Sequence, residues 1–185
     1  RSVWLCDRRP PSLGSTAAST AEIMWTMDVP LQQLAAEIGE MDAARRWGRV
    51  HKAVKDLRVL IDQLGIDCSL IEQPTLYLEG SLLDERALQH EANLCRRHGH
   101  PSTFVPPATV AKRFGIPPRA GIVSEDSFQI DPVKLARAFL AIAFSRGASI
   151  SYPINIISLC EKDGGVRLET ADGRASGVEQ RQPHH

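Results

Sequence analysis

The apolar positions of this chain change rhythm along its length, and each change marks an element. Val3-Trp4-Leu5-Cys6 is a short run of strand-formers ending at one acid, Asp7, and Arg8-Arg9-Pro10-Pro11 breaks it. A small, hydroxyl-rich segment, Gly14 to Thr20, then leads into the more helical Ala21-Glu22-Ile23-Met24. Asp28-Val29-Pro30 predicts a helix start, and Gly39 a break. From Met41 to Leu64, apolar residues at Trp47, Val50, Val54, Leu57, Ile61 and Leu64 form one continuous helical stripe, closed by Gly65. The stripe is too short for a coiled-coil seam and predicts burial, against a sheet.

Residues 66–82 read as extended, with a turn at Gln73-Pro74 and a stop at Gly80. Asp84 caps a helix to about Arg97, which Gly99 ends. Residues 101–121 are proline-rich and predict irregular structure around a short helix near Ala108–Phe114. Ser127–Ile130 is a strand candidate, and Asp131-Pro132 begins a helix that carries Leu135, Phe139, Leu140 and Ala143 on one face before Gly147. Ser149–Tyr152 is a strand. A meander follows: Ile154–Leu159, a turn at Lys162–Gly165, Val166–Thr170, and a turn at Asp172-Gly173. The tail from Ala175 is polar, lacks periodicity and predicts disorder. A helix feeding directly into a strand is half of a βαβ unit, so the order predicts an α/β core with an antiparallel insert.

Composition narrows the function. Formal net charge is zero, which gives no global electrostatic case for nucleic acid or an anionic membrane. No apolar stretch approaches the roughly 20 residues of a membrane span. Cys6, Cys68, Cys95 and Cys160 form no C-x-x-C pair and read as reduced thiols in a cytoplasmic protein. The basic residues Arg45, Arg46, Arg49, Lys52, Lys55 and Arg58 read as a solvated helix flank. Cys95-Arg-Arg-His98-Gly-His100 is no standard zinc spacing, so no metal is expected, and His98 sits where a helix C-terminus favours it. Trp25 reads as core or interface. No Ser-His-Asp set or paired carboxylates stand out, so no catalytic residue is nominated.

The opening carries the chemistry. A buried strand that delivers one acid at its C-terminal end presents a partner to ribose hydroxyls in a dinucleotide fold. A Gly, Ser and Thr loop opening a helix can turn backbone N–H groups and hydroxyls toward phosphate oxygens. The G-x-G-x-x-G turn expected about 20 residues upstream of the acid does not occur, and the chain reads as starting inside a nucleotide-binding unit.

Asp7-Arg8, the segment Gly14-Ser15-Thr16-Ala17-Ala18-Ser19, and Gln129–Ala136 followed by Arg146–Ile150 and Ile154–Ile156 together resemble the FAD-dependent oxidoreductases of the D-amino-acid oxidase superfamily. That group includes glycine oxidase, sarcosine oxidase and flavin-linked glycerol-3-phosphate dehydrogenases. The resemblance implies an incomplete FAD-binding Rossmann-like domain with a part-antiparallel α+β substrate-domain insert. Residues 1–65 and 131–174 would belong to the FAD-binding part, 66–130 to the substrate domain and 175–185 to a disordered tail. It also implies FAD as cofactor and oxidation of a C–H beside an amine or hydroxyl of a small molecule. Asp7 and Arg8 would serve the ribose, Gly14, Ser15, Thr16, Ser19 and Thr20 the diphosphate, and Ile156 the adenine. Met24-Trp25 stands where some relatives carry a histidine, so a flavin linkage there is not expected. As a piece lacking both ends of the cofactor site, the chain is expected to hold FAD weakly or not at all and to be inactive alone. Two other readings stay open on the residues: a non-enzymatic α/β interaction module that uses the Trp47–Leu64 stripe, and a NAD-dependent enzyme.

Overall fold

A computed structural model describes residues 3–162, 165–173 and 175–179. The chain divides into two compact units, one of Arg1–Ser19 with Pro132–His185 and the other of Thr20–Asp131. Both mix helices with strands, in the α/β class expected.

In the first unit, strand β1 (Trp4–Cys6) pairs in parallel with β8 (Ser149–Ser151), Trp4 opposite Ser149 and Cys6 opposite Ser151. Helix α5 (Pro132–Ser145) leads into β8 and buries Leu135. Gly147, at φ 91°, makes the left-handed turn that a residue with a β-carbon resists. Strands β9 (Ile156–Lys162), β10 (Gly165–Thr170) and β11 (Ala175–Glu179) form an antiparallel meander in the order β11-β10-β9. The expected disorder from Ala175 is thus corrected: Ala175–Glu179 pairs along β10, from Ala175 opposite Glu169 to Glu179 opposite Gly165. Backbone pairing supplies what the polar side chains do not advertise. Asp163 and Gly164 of the predicted turn, and residues 180–185 of the predicted tail, lie outside the described residues.

The second unit carries two three-stranded antiparallel sheets. One joins β2 (Glu22–Ile23), β7 (Phe128–Gln129) and β3 (Ile71–Glu72); the other joins β4 (Thr75–Leu78), β6 (Gly121–Ser124) and β5 (Ser102–Val105). Strand β5 lies in the segment expected to be irregular, and β6 begins at its last residue. All four residues of β6 are buried, so the strand shows no alternation by which to recognise it. Ile122 packs with Leu83, Leu88 and Ala92, the latter two from helix α3 (Glu85–Arg97). Val123 packs on the other face with Val105 and with Val110 of helix α4 (Pro107–Phe114). Gly121 is fixed by space, because a β-carbon there would lie 2.9 Å from Leu76 Cδ1 and 3.1 Å from the Tyr77 carbonyl oxygen.

Helix α1 (Leu31–Ile38) packs against helix α2 (Glu40–Gln63), and Gly39 at φ 88° turns between them. Asp84 Oδ1 accepts from the Ala87 amide at 2.8 Å, the N-cap expected of α3. The α2 stripe buries Trp47, Val54 and Ile61 within the unit, which removes the surface that the interaction-module reading requires. Glu22-Ile23 is extended and the stretch from Ala21 is not helical. Ala21 sits at φ 52°, and Glu22 and Ile23 pair with Gln129 and Phe128. Long-range strand pairing overrides the local helical preference.

Candidate functional site

Asp7 leaves β1 at its C-terminal end, where parallel sheets present side chains to ligands. Its amide donates to the Ser151 carbonyl at 3.1 Å, continuing the β8 ladder, and its own carbonyl accepts from the Ile154 amide at 2.7 Å. These bonds hold the backbone of Asp7 beside the segment leading to Ile156, at the start of β9. Asp7 Oδ1 also accepts from the Arg9 amide at 2.9 Å, an Asx turn that reverses the chain after the strand. Trp4 Nε1 donates to Ser151 Oγ at 3.0 Å and further ties β1 to β8.

The Gly14–Ser19 segment forms successive tight turns. The amides of Ala17, Ala18 and Ser19 donate to the carbonyls of Gly14, Ser15 and Thr16 at 3.1–3.4 Å. The amides of Ser15 and Thr16 have no acceptor among the described residues, so they are available to an anion. Gly14 lies at φ 136°, a conformation that only glycine adopts without strain. The expected helix after this loop is absent, because Glu22–Ile23 is β2, and a helix dipole adds nothing to the turns.

The structure brings Asp7 and the run-up to Ile156 together within one unit. Ile156 is partly exposed, and Arg8 is exposed without a described partner. Thr20 begins the second unit. Sequence reasoning passed over Arg9. Its Nη2 lies 3.4 Å from where a β-carbon on Gly14 would stand, so the second of the two arginines brings its cation to the loop. Tandem arginines carry no signal of which one turns back. Beside the loop, an open groove of about 380 Å³ is lined by Pro10, Pro11, Leu13, Leu140, Phe144 and Tyr152. Arg137 Nε donates to Ser12 Oγ at 3.4 Å at its edge.

The second unit holds a buried polar cluster that sequence reasoning also missed. His51 of α2 and His100 before β5 are 7% and 4% exposed, and their Nδ1 atoms lie 3.1 Å apart. His51 Nε2 is 2.9 Å from Asp126 Oδ2, and Trp25 stacks on His100 with ring centroids 5.3 Å apart. Burial, and secondarily the neighbouring His51 and His98, push the His100 pKa down to about 4. The available signal was His51 itself, a titratable side chain spaced four from Trp47 and three from Val54 on the buried face of α2. His98 faces elsewhere, with Nε2 2.8 Å from Glu40 Oε1, a partner more specific than the helix end anticipated for it. Among the described residues no group of three His, Cys, Asp or Glu side chains is arranged to hold a metal ion. All four cysteines are free, and no described helix is long and apolar enough to cross a membrane.

The sequence matches the DAO family of FAD-dependent oxidoreductases over residues 1–180. The chain belongs to that family of flavoproteins, whose cofactor is FAD. No curated protein matches the sequence. Solved structures of similar fold include glycine oxidase from Geobacillus kaustophilus, at 18% identity and TM-score 0.71, covering 96% of this chain and 47% of that one. L-proline dehydrogenase from P. horikoshii matches at 12% identity and TM-score 0.69, covering 97% and 44%. L-α-glycerophosphate oxidase from Mycoplasma pneumoniae, solved with FAD bound, matches at 15% identity and TM-score 0.63, covering 92% and 43%. The chain therefore spans less than half the length of these structures.

Proposed function

We propose that the chain is part of an FAD-dependent oxidoreductase that oxidises a C–H beside an amine or hydroxyl of a small molecule. The observation that carries the cofactor assignment is the pairing of β1 with β8, which leaves Asp7 at the strand end and bonds its carbonyl to Ile154. In this reading the Asp7 carboxylate accepts from ribose hydroxyls, with Arg8 beside it. The Ser15 and Thr16 amides and the hydroxyls of Ser15, Thr16, Ser19 and Thr20 donate to diphosphate oxygens, across the bare Cα of Gly14. Arg9 supplies a cation at the same loop, and Ile156 packs on the adenine.

The residues present fit part of that group. They offer an acid for hydroxyls, unpaired amides for phosphate and a guanidinium for its charge, but no helix N-terminus. Bound FAD would supply the hydride acceptor. This chain's contribution is binding and orientation, the protein's usual share in flavin chemistry.

The first test is a visible absorption spectrum of the purified chain, before and after incubation with FAD and desalting. Little or no retained flavin is expected, with weak binding detectable by quenching of flavin fluorescence. A stoichiometric yellow protein would contradict the expected weakness. Binding that is equal in the Asp7→Ala variant would remove the assigned site.

A further inference from the structure

The Asp126–His51–His100 cluster is not used by the flavin reading. It joins three separate pieces of the second unit. His51 projects from α2, His100 follows α3, and Asp126 occupies the turn between β6 and β7 at φ 61°. Trp25 lies against both rings, and its indole Nε1 donates to the Glu125 carbonyl of the same turn at 2.6 Å. The Glu125 amide returns to the Pro101 carbonyl at 3.0 Å. A short turn is thus moored to the core through one carboxylate, one carbonyl and one amide.

Hydrogen-bond chemistry orders the protons along this line. Ionised Asp126 only accepts, so it selects the His51 tautomer that carries its proton on Nε2. His51 Nδ1 is then a bare acceptor, and the 3.1 Å contact requires His100 to donate from Nδ1. That leaves His100 Nε2 unprotonated. This atom is buried and has no protein partner.

We propose that Asp126, His51 and His100 form a proton relay whose open end is His100 Nε2, and that protonating both imidazoles parts His100 from His51 and so frees the α3–β5 connection from α2. A first proton arriving on Nε2 lets the bridging Nδ1 proton pass from His100 to His51. The positive charge then rests beside the Asp126 carboxylate, and the Nδ1 contact survives with donor and acceptor exchanged. The one ring nitrogen of the pair then still unprotonated is His100 Nδ1, which accepts from His51. A second proton taken up there puts N–H groups on both Nδ1 atoms, and the rings must part. Lys55 Nζ on α2 lies 3.8 Å from Asp126 Oδ2, and His98 opposes charge on His100. Glu40 is engaged by His98 and Arg97 and so is drawn away from the pair. The low pKa of His100 agrees with this arrangement, in which burial and neighbouring positive charge both resist its protonation.

The test uses the intact 185-residue chain labelled with 15N. Long-range 1H–15N spectra at neutral pH should show His51 protonated on Nε2 and His100 on Nδ1; the reverse tautomers, or Nε2 protonation of both, overturn the relay. On acidification the His100 titration should coincide with loss of protection of the Trp25 indole proton, whose exchange should accelerate about tenfold or more. Two transitions that do not coincide overturn the release. His100→Gln keeps a donor for His51 Nδ1 but does not titrate, so its indole exchange should stay nearly constant over the same range. An undiminished acceleration in that variant overturns the proposal. If that variant does not fold, the wild-type coincidence decides.

Discussion

Asp7 and Glu91 are both carboxylates that accept from backbone amides, and they serve opposite ends. Asp7 takes the amide of Arg9, two residues away, and keeps the rest of its carboxylate at a partly exposed strand end. Glu91, 4% exposed on α3, takes the amides of Leu31 and Gln32 at 2.5 and 2.8 Å, from the first turn of α1. The residue before that helix is Pro30, which offers no side-chain cap, so a distant acid satisfies the orphan donors. An acid whose bonds are local leaves the fold nearly indifferent to it and is free to meet a ligand. An acid whose bonds span the unit belongs to the fold.

Removing Glu91 breaks that comparison most severely. Glu91→Ala should cost about 3 kcal/mol, since it leaves buried amides unpaired and opens space beside Cys95. Glu91→Gln keeps an acceptor and should cost about 1 kcal/mol. Urea midpoints of the three proteins test the order.

Acid titration sharpens it. The folded state holds His100 well below the usual imidazole value, so between about pH 6.5 and 4 the unfolded chain binds more protons. The stability it contributes is present above pH 6.5 and falls with the pH, by about 2 kcal/mol once partial screening is allowed for. Burial first of all raises the Glu91 pKa, so this acid works in the other direction, and its ionisation removes stability as the pH rises through its folded value. Denaturation at stepped pH should therefore show a net loss toward acid that His100→Gln abolishes and Glu91→Gln does not.

Gly14→Ala separates strain from binding. At φ 136° an L side chain is strained, at about 1–2 kcal/mol. The new β-carbon would also meet the Arg9 guanidinium at 3.4 Å, and that long side chain can shift. A modest fall in the urea midpoint with a larger fall in FAD affinity is the expected pair of results.

The same division explains what the sequence made legible. The acid at a strand end, the α2 stripe, the Asp84 cap and the Gly65 and Gly147 stops are local patterns, and the structure carries them, although β1 is largely exposed where a buried strand was expected and no helix follows the Gly14 loop. Strand β5 was hidden because it interrupts a proline-rich segment, and β6 because it is buried on both faces. The short pairing of Glu22–Ile23 with β7 was hidden because its partner lies over a hundred residues away. His51 and His100 are 49 residues apart, and Asp126 is 75 from His51. No local spacing encodes such a cluster; only the buried face of α2 pointed to His51. Arg9 was missed for a subtler reason, since its approach to Gly14 depends on the Asx turn at Asp7.

Asp7→Ala is the smallest perturbation of the fold and the most direct test of its assigned role. The side chain makes one described hydrogen bond, to an amide two residues on, and that amide can turn to water. The backbone bonds to Ser151 and Ile154 do not involve the side chain and should persist. Stability should therefore change by no more than about 0.5 kcal/mol. Loss of the acceptor for ribose hydroxyls should weaken FAD binding about tenfold, the value of a charged hydrogen bond near 1.4 kcal/mol. Flavin fluorescence quenching measures the second quantity and a urea midpoint the first. A large loss of stability would place Asp7 with Glu91 among the residues that hold the fold. Unchanged stability with unchanged affinity would leave the strand end without the cofactor role proposed for it.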